Sequence, residues 1–294
     1  MEFFLELLVN GLLVGMMYAL VALSFVLIYK ATSVINFAQG ELVMFGGFIA
    51  AAMLTRYDLP LAMALPVALG LMISFGFMLE RGMLRPLIGR PVIAIIMATV
   101  GLASVLRGLA PMIWGAATKD VPLPLPVRPF ILFDLFISPL NVVAAAASVV
   151  FLAGFGYFFK KTRTGIAMRA VADDQQAAMS MGINVSSIFA LTWGIAGLVS
   201  AIGGVIWGNF LGVDTHLALV GLKVFPVVIL GGLDSVLGAI LGGLIVGAVE
   251  NVSAGFIDPY VGGGTKDFIP YVLMIITLMI RPSGFFGREI IDRV

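Results

Sequence analysis

The chain has 294 residues, 61% of them hydrophobic and only 11% charged, with a net charge of +1 and no cysteine. A soluble domain of this size carries roughly twice that charged fraction, so the composition excludes a soluble globular protein. The near-neutral balance gives no case for nucleic acid as a partner, and disulfides and thiolate metal sites are excluded outright. Apolar runs of about 20 residues recur along the chain, the length of a membrane-spanning helix. Barrel strands would alternate polar and apolar residues in segments of about ten, and no such alternation is present. The fold class is all-α: a polytopic integral membrane protein of about eight or nine transmembrane helices.

In chain order the expected spans are 7–29, 34–55, 60–79, 92–113, 139–159, 188–208, 217–231, 235–256 and 268–281. The seventh and ninth are short, so one of them is expected to be a half-helix or re-entrant element. The amino terminus, MEFFLELLVN, has no basic flank, so a cleaved signal peptide is not expected. Basic residues set the orientation. Arg81, Arg85 and Arg90 follow the third span, Lys160, Lys161, Arg163 and Arg169 follow the fifth, and Arg281, Arg288 and Arg293 lie in the tail. These intervals are expected to be cytoplasmic. The interval 114–138 carries Lys119 and Arg128 against Asp120 and Asp134 and is expected outside. The amino terminus then lies outside and the carboxyl terminus inside, which an odd number of crossings satisfies. Within the outer interval, the prolines of KDVPLPLPVRPF forbid a continuous helix and favour a stiff extended connector.

The longest polar interval is KKTRTGIAMRAVADDQQAAMSMG, Lys160 to Gly182. It opens basic, turns acidic at Asp173 and Asp174, continues in good helix formers and closes on a glycine suited to a helix stop. A basic, helix-forming loop between two spans is a handle that a soluble partner can grip from the cytoplasm. The two halves also resemble each other. The first span plus INFAQGELVMFGGFIAA matches the sixth span plus VFPVVILGGLDSVLGAILGG in pattern, each pairing a long span with glycine-punctuated apolar segments. The expected organisation is a single transmembrane domain over 1–294, with a first repeat at about 7–113, a linking helix at 139–159, a cytoplasmic loop at 160–187 and a second repeat at about 188–281. Four spans on each side of a central fifth give the halves opposite orientation, the inverted repeat of transporter folds.

A charge inside a span costs at least about 2.5 kcal/mol at the helix centre, so Glu41 and Glu250 need an account. Asn36 and Gln39, three residues apart, would share a helix face; they either border a polar pathway or occupy the first turns of a helix starting near Ser33 at the inner surface. Glu41 fits the first turn of that helix, where the dipole favours an acid, and Glu250 fits an outer interface. Asp234 or Ser235 is expected to cap a helix after the Gly231–Gly232 turn. His216, the only histidine, is expected at an interface, and Trp114, Trp193 and Trp207 as anchors or packing. No metal-ligand cluster and no catalytic constellation is present: there is no nucleophile elbow, no HExxH and no phosphate-binding loop. The chain is therefore expected to be a transport protein that neither catalyses a reaction nor hydrolyses ATP.

The stretches NGLLVGMMYALVALSFVLIYKATSVINFAQGELVMFGGFIA, RAVADDQQAAMSMGIN and VVILGGLDSVLGAILGGLIVGAVEN resemble the LivH-type permeases of bacterial branched-chain amino-acid ABC importers, over nearly the whole chain. The resemblance implies an inner-membrane permease subunit that moves branched-chain or related hydrophobic amino acids inward by alternating access. It implies a second, LivM-like permease, two cytoplasmic ATPases carrying the ATP and Mg, and a periplasmic substrate-binding protein, with no cofactor on this chain. ABC importer permeases dock a short helix bearing an EAA-xxx-G motif into the ATPase. Here the matching residues are Gln176, Ala177, Ala178 and Gly182, with glutamine in place of glutamate, and Asp173 and Asp174 are placed to supply charge instead. Asn36, Gln39, Glu41, Thr99 and Asn209 are the expected lining of the pathway. Related permeases carry urea, short amides, or aromatic or carboxylic acids, and nothing in the residues reads the cargo's side chain. The reading from a different class is an ATP-independent channel or carrier, against which the docking loop argues.

Overall fold

A computed structural model describes residues 1–87, 90–124, 128–132 and 135–287. Arg288 and Arg293 of the basic tail, and Pro126 and Asp134 of the outer interval, lie outside the described residues. Each expected apolar segment falls on a helix: α1 (Glu2–Thr32), α2 (Gln39–Ala51), α3 (Leu61–Leu79), α4 (Val92–Trp114), α5 (Pro139–Lys161), α8 (Val185–Leu211), α9 (Leu219–Gly231), α10 (Val236–Val261) and α11 (Thr265–Ile280). Two further helices, α6 (Arg163–Asp173) and α7 (Gln175–Ser180), occupy the polar interval. Among the described residues six helices are long and apolar enough to cross a membrane: α1, α3 with its continuation to Leu87, α4, α5, α8 and α10. At 1.5 Å per residue, α2, α9 and α11 reach only about 20–24 Å, short of the ~30 Å hydrocarbon core.

The expected span 34–55 is broken at its start. α1 runs on to Thr32, Ser33 turns the chain with φ of 56°, and residues 33–38 are irregular before α2 begins at Gln39. Asn36 therefore lies off the helix, and the shared helical face expected for Asn36 and Gln39 does not exist. The cause is local: the Asn36 Oδ1 accepts the Ala38 N–H at 3.1 Å, an alternative to helical hydrogen bonding that asparagine side chains readily offer. The described residues of the proline-rich outer interval, 119–124 and 128–130, are free of helix. Beyond it lies a two-stranded antiparallel ribbon, β1 (Phe130–Leu132) and β2 (Leu135–Ile137), that the hydropathy pattern does not announce. Lys119 is tied to Val213 by a pair of backbone hydrogen bonds of 2.9 and 2.8 Å.

Contacts divide the chain into two compact units, the first made of residues 1–26, 124–150 and 222–294, the second of 27–123 and 151–221. In the first unit α1 packs on α10 through glycines one turn apart. A Cβ on Gly11 would fall 2.7 Å from the Gly247 carbonyl oxygen, and one on Gly15 would fall 2.6 Å from that of Gly243. This is small-xxx-small packing on both helices, the arrangement that lets backbones approach in lipid. Phe25 meets Phe225 of α9 edge to face at 5.7 Å. In the second unit α8 takes the central role. A Cβ on Gly46 of α2 would fall 2.7 Å from the Ser200 carbonyl, Gly204 abuts Val43 and Gly47, and Gly197 and Gly194 lie against Met72 and Phe77 of α3. The opening helix of each half of the sequence thus packs on the short helix and the next long helix of the other half.

Gly204→Val should cost about 1–3 kcal/mol by overpacking the α2–α8 contact. Gly101→Ala, where a Cβ meets nothing within 4 Å, should leave stability unchanged. Thermal unfolding of the two purified variants in one detergent checks the contrast.

Candidate functional site

The break before α2 creates a buried polar cluster at membrane depth. Phe37 N–H donates to the Thr99 Oγ1 at 3.3 Å, and Arg107 pairs with Glu41. Thr99 and Arg107 lie about 10 and 22 Å from the start of α4 at 1.5 Å per residue. Residues 37–41 therefore lie level with the body of α4 and not with its first turn. Asn36 Nδ2 donates to the Gln39 Oε1 at 3.3 Å, and Gln39 Nε2 donates to the Ser200 Oγ of α8 at 2.7 Å. Asn36, Gln39, Glu41, Thr99 and Ser200 are all buried. The structure thus links Asn36 and Gln39 to Ser200, holds the adjoining Phe37 N–H on Thr99, and places Glu41 in an ion pair with an arginine that is half exposed. Asn209 is not part of this group. It lies nine residues beyond Ser200, about 14 Å along α8, and donates to the Val121 carbonyl.

A second set of charges belongs to the first unit. Lys223 of α9 lies 2.8 Å from the Asp267 carboxylate of α11 and 3.7 Å from the Glu250 carboxylate of α10. Tyr18 Oη donates to the same Glu250 oxygen at 3.2 Å, and Glu250 is buried within the fold. Sequence reasoning passed over Arg107 and Lys223, although a basic residue inside an apolar span is as conspicuous as an acidic one.

At the start of α9 a further close approach occurs. A Cβ on Gly221 would fall 2.6 Å from the Gly40 nitrogen, so the first turns of the two short helices, α2 and α9, touch. Side-chain oxygens supply the caps around them: Asp214 accepts from the His216 N–H at 2.8 Å, and Ser235 accepts from the Gly238 N–H at 2.9 Å at the head of α10. His216 is exposed in that connection. Trp193 and Trp207 are buried within the second unit, and Trp114 stacks on Phe48 at 5.1 Å, so all three pack.

The polar interval folds into two short helices. α6 is capped by Thr162, whose Oγ1 accepts the Gly165 N–H at 3.0 Å. α7 is capped at both ends. Asp174 Oδ1 accepts the N–H groups of Gln176 and Ala177 at 2.8 and 2.9 Å. At the other end Gly182 takes φ of 80°, its N–H bonds to the Met179 carbonyl, and the Ile183 N–H bonds to that of Ala178. That pair of bonds is the Schellman stop, which needs a left-handed residue and so favours glycine. Ala178 is buried beneath the helix, whereas Asp173, Asp174, Gln176, Ala177, Met179 and Gly182 are exposed. Among the described residues no group of histidine and carboxylate side chains could hold a metal ion.

Six long apolar helices, three short ones, a polar break at membrane depth and an exposed, doubly capped helix define a multi-pass membrane transport protein. Residues 7–278 match the family described as branched-chain amino acid transport system / permease component, and the chain belongs to it. It is 32% identical over 307 residues to the high-affinity branched-chain amino acid transport system permease protein BraD of Pseudomonas aeruginosa, covering 99% of this chain and 98% of that protein. It is 30% identical over 308 residues to the permease protein LivH of Escherichia coli, with the same coverage. Membership makes the chain the permease subunit of an ABC importer and a transport subunit, not an enzyme; ATP is hydrolysed by separate partner subunits.

Arg107→Met should destabilise the protein by about 3–5 kcal/mol, because it strands the buried Glu41 carboxylate without its counter-charge. The double variant E41Q/R107M should recover more than half of that loss. Thermal unfolding of R107M, E41Q and the double variant in one detergent checks the coupling, and simple additivity of the two single changes would show that the pair does not act as a unit.

Proposed function

We propose that this chain passes aliphatic, branched-chain amino acids inward by alternating access, as its relatives' names describe for them, and that α7 is the element through which ATP hydrolysis drives it. The carrying observation is the form of α7: six residues, capped by Asp174 at one end and stopped at Gly182 at the other, with Gln176, Ala177 and Met179 exposed. A helix this short is unstable alone, and capping at both ends keeps it as a rigid knob between α6 and α8. In this reading it docks into an ATPase groove, with small Ala177 allowing close approach, Gln176 replacing the motif's glutamate, and Asp173 and Asp174 supplying negative charge. ATP and Mg sit on two cytoplasmic ATPases, and this chain has no cofactor of its own. A second, LivM-like permease completes the membrane core, and a periplasmic binding protein delivers the cargo. The basic residues around α5–α6 and after α3 favour a cytoplasmic position for α7, with the amino terminus outside and the carboxyl terminus inside the bacterial inner membrane.

Two observations support inverted repeats over about 7–113 and 188–281. The order long, short, long, final helix recurs as α1–α4 and α8–α11. Each set pairs its short helix with its final helix through opposite charges: Glu41 with Arg107, and Lys223 with Asp267. The first turns of α2 and α9 meet at Gly40 and Gly221, and helix N-termini at membrane depth favour a substrate carboxylate. On this reading Asn36, Gln39, Glu41 and Thr99 border the pathway, which is closed in the conformation described because all four are buried.

Gly182→Val should leave the protein inserted but uncouple it, because a β-branched residue is strained at φ of 80° and the α7 stop is lost. In proteoliposomes holding the assembled importer, uptake should fall at least tenfold, the scale of about 1.4 kcal/mol of lost coupling. Unchanged uptake would rule out α7 as the coupling element. Titrating the same assembly with binding protein and leucine, isoleucine, valine, urea or an aromatic acid assigns the cargo by which of them stimulates ATP hydrolysis.

A further inference from the structure

A cavity of about 90 Å³ lies in the second unit among Glu80, Leu84, Arg85, Gln175, Phe189 and Trp193, and reaches Thr32, Val34 and Ile95 at the edge of the break before α2. Glu80 is 1% exposed, and Arg85 holds both its oxygens, through Nε at 3.2 Å and Nη2 at 3.0 Å. Neither residue is saturated by that pairing. A carboxylate has about four acceptor positions, and a guanidinium has five N–H donors. Trp193 is also 1% exposed, and its Nε1–H has no hydrogen-bond partner. An indole can only donate, and a buried unmet donor is costly to leave unpaired, a cost that a ligand acceptor would relieve. Of the remaining wall, Val34, Leu84, Ile95 and Phe189 are apolar, and Thr32 and Gln175 are polar.

The set of groups specifies a ligand. Glu80 offers a buried negative charge to an ammonium. Arg85 and Trp193 offer donors to a carboxylate. The apolar wall takes a hydrocarbon side chain. A single water needs ~10–15 Å³ of such space, so the cavity has room for several atoms. We propose that this cavity is a second site for a free aliphatic α-amino acid, filled from the cytoplasm, through which accumulated product slows its own import. The proposal rests on the reading of α7 as the coupling helix and of aliphatic amino acids as the cargo. Gln175 provides the connection. It lines the cavity, it is the first residue of α7 beside the cap Asp174, and its Nε2 donates to the Ala31 carbonyl near the end of α1 at 3.2 Å. A ligand seated on Glu80 and Trp193 would hold Gln175, and with it the root of the coupling helix, in one position.

The test uses the full chain by itself in nanodiscs of phosphatidylglycerol alone, carrying W114F/W207F so that Trp193 is the only tryptophan present. Leucine should change Trp193 emission saturably. Its two halves, 3-methylbutylamine without the carboxylate and 4-methylpentanoate without the ammonium, should bind at least about fivefold more weakly, as should phosphoethanolamine, the headgroup of a zwitterionic lipid. In proteoliposomes, loading the lumen with unlabelled leucine should slow the initial uptake of labelled leucine at least about fivefold. The neutral pair E80Q/R85Q should abolish that inhibition while uptake into empty vesicles and stimulation by the binding protein stay unchanged. No emission change with leucine, an equal response to either half-molecule, or a response to phosphoethanolamine instead would each overturn the proposal. Absence of ATPase stimulation in the unaltered assembly would overturn the coupling reading, and the emission titration would still decide the cavity.

Discussion

A broken backbone inside a bilayer must find every hydrogen-bond partner within the protein, and that constraint organises this molecule. Lipid offers no water to an exposed N–H or carbonyl. Residues 33–38 nonetheless leave the helix at a depth set by their contacts with α4. Three of their N–H groups are met by side chains: that of Ala38 by Asn36, that of Phe37 by Thr99 and that of Val34 by Thr32. Asn36 and Gln39 are therefore required structurally before any substrate is considered, because they hold open the break that makes α2 a short helix. Gln39 passes the network on to Ser200 of α8, the helix on which α2 packs. The same polar groups serve architecture and, on the proposed reading, passage.

The second organising factor is close approach. Between helices in lipid there is little hydrophobic driving force, so backbone contact through small residues carries the association. Gly11 and Gly15 against Gly243 and Gly247 bind α1 to α10, while Gly46 and Gly204 bind α2 to α8. Each contact joins residues far apart in sequence, and each joins the opening helix of one half to elements of the other. This exchange leaves neither half as an independent body. It is also why a division of the sequence at its midpoint does not coincide with the two units defined by contact.

At the polar interval the division of labour is sharp. Asp174 and Gly182 fix where α7 begins and ends, Ala178 anchors it from below, and the exposed residues between are left to a partner. Its neighbour Gln175 turns inward to α1 and to the cavity of Glu80, Arg85 and Trp193. One short helix therefore faces outward with one set of residues and inward with the residue that begins it.

Much of this was legible in the residues. Span-length apolar runs had to become helices, because no other backbone in lipid satisfies itself. Asp174, Gly182 and Ser235 act through the main chain within a few residues of themselves, so their capping roles could be read locally. What tertiary structure alone decided depends on distant partners. Neither Phe37 nor Thr99 reveals the other from 62 positions away, and the helix expected over both Asn36 and Gln39 gave way once Asn36 bonded its own backbone. Glu250 reads as an interface residue until Tyr18 and Lys223 surround it. Arg107 and Lys223 were visible as charges but not as halves of pairs. Sequence by itself determined which segments enter the membrane and where the exposed helix starts and stops, since hydropathy and capping act locally. Only the fold decided which buried charges meet and which helices touch, because those depend on a single set of long-range packings that no local pattern encodes.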